Sequence, residues 1–207
     1  MKYVYEFIGT FFLVLTVGMM VLINTGAGVM APLAIGMMLA VMIYAGAHVS
    51  GAHYNPAVSL AIFLRGKLTA DKMVGYWVAQ TLAGVAAAYL AVYIKGGVTD
   101  KPLVLNPLHA VLIEALFTFG LCFIVLNVAT TTETKGNSFY GFAIGFFVVA
   151  GAYAVGTLSG AVFNPAVALG ITIMNLAAWS EIWIYLVGNF VGAIAAALLF
   201  KAAHPAE

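Results

Sequence analysis

Ser159-Gly-Ala-Val-Phe-Asn-Pro-Ala-Val167 repeats nearly all of Ser50-Gly-Ala-His-Tyr-Asn-Pro-Ala-Val58, with its Asn 109 positions later. Each copy lies in a long uncharged run, where a Pro and a polar Asn are unexpected. No Asp, Glu, Lys or Arg occurs between Glu6 and Arg65, and none between Lys135 and Glu181. Two interruptions at matching places in two halves point to a binding or conduction site made of broken helices.

Composition sets the class. The chain has 207 residues, 64% hydrophobic and 7% charged, with a mean hydropathy of +1.09. A soluble domain is about 25% charged, so this chain lacks the residues to clothe itself in a solvated surface. The uncharged runs far exceed the roughly 20 residues that cross a bilayer, which implies several transmembrane helices. A net charge of +1 offers no basic face for a nucleic acid. Cys122 is the sole cysteine, which excludes an intrachain disulfide and a Cys-based metal cluster. Met1-Lys2 before an apolar run has the outline of a signal peptide. The stretch Tyr3–Asn24 is long enough to span, however, and has a counterpart in the second half, so it reads as a retained helix.

Taken in order, spans are expected at Tyr3–Asn24 and Pro32–His48, separated by the turn Thr25-Gly-Ala-Gly28. After the broken stretch Ser50–Asn55, the apolar segment Pro56–Leu64 ends at Arg65-Gly-Lys67. Nine residues make only about 14 Å of helix at 1.5 Å each, half of a hydrocarbon core of about 30 Å. The segment can therefore only enter halfway. Pro56 suits a first helical turn and Asn55 suits its N-cap. A third span follows at Met73–Ile94, a loop at Lys95–Asn106, a fourth span at Leu108–Asn127 and a polar loop at Thr130–Asn137. The fifth span is Phe139–Val155. A second broken stretch, Gly156–Asn164, leads into a second half-helix, Pro165–Met174, and a sixth span, Trp179–Lys201.

The halves, about 1–96 and 107–204, align at an offset of 108–109, with an extracellular loop between them in a single channel domain. Glu6-Phe-Ile-Gly-Thr-Phe11 answers Glu114-Ala-Leu-Phe-Thr-Phe119, and Ala34-Ile-Gly36 answers Ala143-Ile-Gly145. Three full spans per half is an odd number, so the second half crosses in the opposite sense and the half-helices enter from opposite faces. Asn55 and Asn164 then meet at the midplane, where two helix N-termini place positive partial charge. The approaches Val49–Tyr54 and Gly156–Phe163 would line a cavity, since irregular backbone at that depth is tolerated only there or buried in protein. Basic residues set the orientation. With both termini cytoplasmic, Lys2, Arg65, Lys67, Lys72, Lys135 and Lys201 lie inside, and only Lys95 and Lys101 lie outside.

These motifs, with Tyr76-Trp-Val-Ala-Gln80, resemble the major intrinsic protein family of aquaporins and glycerol facilitators, over essentially the whole chain. The resemblance implies an all-α membrane protein with six transmembrane helices and two re-entrant half-helices in an inverted repeat. It further implies one pore per subunit, a homotetramer, and passive passage of water or small uncharged solutes, with no cofactor and no catalysis. The pore midplane would be Asn55, Pro56, Ala57, Asn164, Pro165 and Ala166. The family's outer constriction falls on Ile35, Ala152, Ala161 and Val167. The family usually has Arg where this chain has Val167, His at Ala152 in water-selective members, and Asp at Ala168 in glycerol facilitators. All three departures imply a wider, more apolar constriction.

Other polar residues have bland and sharp readings. Asn55 and Asn164 can be plain caps, yet polar groups at bilayer depth tend to be functional, which favours caps that also donate to a permeant. Glu6 and Glu114 can relay protons or simply hold the broken loop of their own half; the resemblance favours holding. His53 has Val162 opposite it and reads as a structural hydrogen bond rather than a pH sensor. His48 reads as a pore-wall or packing group, and no metal site is expected. Trp179, Trp183, Tyr3, Tyr5 and Tyr140 read as interfacial anchors. Short loops suit a prokaryotic plasma membrane. Three competing functions remain: a channel mainly for glycerol, urea, ammonia or carbon dioxide with low water flux, a structural membrane protein with a closed pore, and an enzyme. The last lacks a nucleophile–base pair.

Overall fold

The computed structural model describes residues 1–22 and 28–205. The expected end of the first span at Asn24 and the turn residues Thr25, Gly26 and Ala27 lie outside them. Eight α-helices follow in order: α1 (Lys2–Val21), α2 (Ala31–Ser50), α3 (Pro56–Leu64), α4 (Ala70–Lys95), α5 (Pro107–Ala129), α6 (Tyr140–Ser159), α7 (Pro165–Ile173) and α8 (Ile182–Ala203). No strand occurs among the described residues. Six helices, counting short 3-10 turns ahead of α2 and α8, are long and apolar enough to cross a membrane. The two nine-residue helices α3 and α7 are not.

Local chemistry explains most boundaries. Asn106 Oδ1 accepts from His109 N at 3.1 Å and Pro107 opens α5, which pairs a cap with a residue that needs no N–H there. Asn137 Oδ1 accepts from the amides of Phe139 and Tyr140 at 3.1 and 2.9 Å, so Phe139 stands just outside α6. Trp179–Glu181 forms a 3-10 turn, and the α-helix of the sixth span begins at Ile182.

The largest difference from the sequence reading concerns the two approaches. α2 and α6 continue to Ser50 and Ser159, so Val49 and Gly156–Ser159 are helical and the irregular backbone shortens to 51–55 and 160–164. The breaks occur where Gly51 and Gly160 adopt φ of +90°, the left-handed cap that glycine takes without strain. Gly156 inside a helix is tolerated at about 1 kcal/mol.

The halves pack in matching ways: α1 on α4 mirrors α5 on α8, and α2 crosses α6 between them. Each half-helix is held by the other half. α3 packs on α5 and α8 as well as on α4 of its own half, and α7 packs on α1 and α4 as well as on α8 of its own half. Glycines permit the closest approaches, as in small-residue packing of membrane helices. A Cβ on Gly36 would lie 2.5 Å from the Gly145 carbonyl, and one on Gly145 would lie 2.5 Å from the Gly36 carbonyl. Gly188 and Gly192 bring α8 against α5 within this one chain. Polarity is inverted relative to a soluble protein. Leu82, Leu112, Leu116 and Leu198 are exposed, while Glu6, Gln80, Glu114 and Asn189 are fully buried.

The glycine contacts make a test. In Gly192→Val the first added carbon would sit 2.3 Å from the Ala115 carbonyl and 2.7 Å from the Phe119 amide, both backbone atoms that yield little. A loss of about 2 kcal/mol or more is expected, read as a lower thermal midpoint in detergent. An unchanged midpoint would mean that α5 and α8 are free to separate.

Candidate functional site

The two half-helices meet N-terminus to N-terminus. Asn55 and Asn164 each accept, through Oδ1, the amide two residues on (Ala57 N and Ala166 N, both at 2.9 Å). Each then donates from Nδ2 to a carbonyl of the other half: Asn55 to Phe163 O at 2.8 Å and Asn164 to Tyr54 O at 2.9 Å. Pro56 and Pro165 open the half-helices, with Ala57 and Ala166 buried behind them. An amide nitrogen carries two donors, so this reciprocal clamp occupies one N–H of each Asn.

The loops that deliver the Asn residues are strained. Ala52, Tyr54, Ala161 and Phe163 have φ of +50° or +51°, a conformation that persists in non-glycine residues only where the surroundings enforce it. A buried carboxylate enforces it in each half. Glu6 Oε1 accepts from Ser50 Oγ at 2.7 Å and His53 N at 2.9 Å, and Oε2 accepts from Tyr54 N at 2.7 Å and Gln80 Nε2 at 2.8 Å. Glu114 Oε1 accepts from Ser159 Oγ at 2.8 Å and Val162 N at 3.0 Å, and Oε2 accepts from Phe163 N at 2.8 Å and Asn189 Nδ2 at 2.9 Å. Four charge-assisted bonds per carboxylate use its acceptor capacity in full. Tyr76 and Tyr185 complete the pattern by donating to the carbonyls of Ser50 and Ser159 at 2.6 and 2.9 Å, which would otherwise be orphaned at helix ends.

His53 departs from this symmetry. Its Nδ1 is 3.0 Å from Ser59 Oγ, and its ring stands edge-on to Tyr76 with centroids 5.0 Å apart. Ser59 also accepts from Gln80 Nε2 at 3.1 Å, so the imidazole joins the Glu6 network. His48 lies against Tyr5, and no group of acidic, His or Cys side chains among the described residues could hold a metal.

A cavity of about 1210 Å³ runs past both Asn residues. Ile35, Ala152, Ala161 and Val167 all line it, as do Asn55, Asn164 and the loop residues 51–54 and 160–163. Aliphatic side chains contribute to the wall from both halves: Leu13, Val17 and Leu39 from the first, Leu121, Val125 and Val148 from the second. Lys2, Lys67, Lys72 and Lys135 also line it, with Thr99 and Lys101 of the 96–106 loop. That loop is tied to the end of α7 by Asn175 Nδ2 donating to Thr99 O at 2.7 Å and Leu103 N donating to Leu176 O at 2.9 Å. No Asp or Glu lines the cavity among the described residues.

The sequence reading assigned no role to Ser50, Ser159, Tyr76, Tyr185, Gln80 or Asn189. The available signal was their spacing: each is a polar residue in an apolar stretch, with its partner 109 positions away.

The sequence model of the family described as Major intrinsic protein matches residues 1–200. Aquaporin TIP1-2 of Musa acuminata is 38% identical over 184 residues, covering 86% of this chain and 72% of its own length. Aquaporin NIP1-3 of Oryza sativa subsp. japonica is 34% identical over 209 residues, covering 97% and 72%. The X-ray structure of the aquaglyceroporin from Plasmodium falciparum superposes with a TM-score of 0.81 over 99% of this chain and 96% of its own, at 21% identity, a likeness of fold.

The carboxylate network generates a further test. Glu114→Gln turns one acceptor oxygen into a donor that faces another donor, whether the Phe163 or the Val162 amide. A loss of about 1–3 kcal/mol is expected, together with lower flux of neutral permeants per folded channel in proteoliposomes. A variant with unaltered thermal midpoint and flux would show that the loop keeps its shape without the carboxylate.

Proposed function

The chain belongs to the major intrinsic protein family, and from that premise we propose how its lumen selects what passes. It is an integral membrane protein and a passive channel for water or small uncharged solutes, not an enzyme. In our reading a permeant exchanges its water hydrogen bonds for loop carbonyls and for the second N–H of Asn55 and of Asn164. A cation at the Asn pair meets the positive ends of two half-helices and no carboxylate. Exclusion of cations is therefore electrostatic, and the reciprocal Asn clamp inside a cavity with no acidic lining among the described residues is the observation that carries it.

Ile35, Ala152, Ala161 and Val167 act as a wide, apolar outer constriction. Without an Arg there, one fixed positive charge and several donors are missing. Proton and cation exclusion is then weaker than in an Arg-bearing relative, and larger or less polar solutes are admitted. A second reading follows from the same four side chains. They offer a permeant no hydrogen bonds, which favours ammonia, carbon dioxide, urea or glycerol over water. We place both termini on the cytoplasmic side of a plasma membrane, from the distribution of lysines, and assemble the chain as a homotetramer by family likeness.

Val167→Arg is the decisive variant. Stopped-flow light scattering on proteoliposomes is expected to record a several-fold drop in glycerol and urea flux with part of the water flux retained. Unchanged solute flux would remove Val167 from the constriction.

A further inference from the structure

The inverted repeat assigns each residue a counterpart in the other half, and the hydrogen-bonded pairs fix the register. Ser50 and Ser159, Tyr76 and Tyr185, and Gln80 and Asn189 do the same work 109 positions apart. The same offset takes Ile35 to Ile144, Ala152 to Ile43, Ala161 to Ala52 and Val167 to Val58. These counterparts also line the cavity. The lumen thus carries two rings of one kind, one on each side of the Asn pair.

Three of the four pairs are identical residues, so the rings differ only where Ile43 stands opposite Ala152. Isoleucine has three more carbons than alanine, and all three fall on the side of the Asn pair where α1 begins. Accessibility agrees with the volumes. Ile43, Ala52, Val58 and Ile144 are 3%, 7%, 4% and 6% exposed. In the other ring Ile35, Ala152 and Ala161 are all more accessible, and only Val167, at 7%, matches them. His53, held against Ser59, also lines the cavity, whereas its counterpart is the aliphatic Val162.

We propose that the size-selecting constriction of this channel is the ring of Ile43, Ala52, Val58 and Ile144, not the ring of Ile35, Ala152, Ala161 and Val167. The inference rests on the channel reading above and specifies where that channel discriminates. With Val at position 167 the outer ring has no residue larger than Ile35, so the limiting width passes to the side that holds two isoleucines. The substrate class follows from that ring: compact neutral molecules that can shed hydrogen bonds briefly, with bulkier polyols rejected at Ile43.

The test is an exchange of residues between the rings, in phosphatidylcholine proteoliposomes. Ile43→Ala is expected to raise glycerol and urea flux about tenfold, since small volume changes in an apolar slot discriminate by about that factor. Ile43→Val should fall between. Ala152→Ile alone should lower solute flux by about twofold and no more, because it adds a second ring only as narrow as the first. The double variant Ile43→Ala, Ala152→Ile moves the narrow ring to the other side and should restore the parental flux, which a merely structural role for Ile43 would not do. The proposal is overturned if Ile43→Ala leaves solute flux unchanged, if Ala152→Ile alone abolishes it, or if the double variant fails to restore it while remaining folded in detergent. A parent chain that passes no neutral permeant at all would instead sink the channel reading.

Discussion

An unsatisfied backbone group in an apolar medium costs several kcal/mol, and everything unusual in this fold answers to that constraint. A continuous helix satisfies itself. A helix that stops inside the bundle leaves amide donors at its start and carbonyls at the end of its predecessor, and the chain stops two helices in this way. The amides of residues 53, 54, 162 and 163 go to Glu6 and Glu114, those of residues 57 and 166 to the Asn caps, and the carbonyls of Ser50 and Ser159 to tyrosines. Two carboxylates that look like misplaced charges in a hydrophobic sequence are thus what makes a non-helical path affordable there. The left-handed alanines and aromatics of these two loops have the same cause.

The framework was legible in the sequence because it is written twice. The duplicated Asn-Pro-Ala, the nine-residue segments after it, and Glu6 with its counterpart Glu114 fix six spans, two half-spans and their opposed senses without reference to coordinates. Helix ends were less legible. Val49 and Gly156 look like loop residues by composition, but a helix runs until a residue takes a left-handed φ, and that falls to Gly51 and Gly160. The bonding roles of Gln80 and Asn189 were hidden for another reason. A polar side chain in an apolar span declares that it has a partner without saying which, and each carboxylate partner stands more than seventy residues away in the chain.

The halves agree where they build the scaffold, and their divergence at the lumen is confined to a few wall positions. Ser, Tyr and Glu recur in matched positions with matched bonds. His53 against Val162 and Ile43 against Ala152, all four lining the cavity, do not. Symmetry is enforced by the backbone's need for partners, which is the same in both halves. The wall of a cavity carries no such obligation, so its residues are free to differ.

The reciprocal Asn clamp bears on how the chain is made. Asn55 Nδ2 finds its acceptor on Phe163, and Asn164 finds its acceptor on Tyr54. A ribosome delivers these partners more than a hundred residues apart, so the first half emerges with its central amide unmatched and α3 lacking the α5 and α8 faces that it packs on. The four helices of the first half, α1–α4, are consequently not a finished subassembly. Biosynthesis must keep a half-inserted segment waiting in the bilayer until the last two helices arrive.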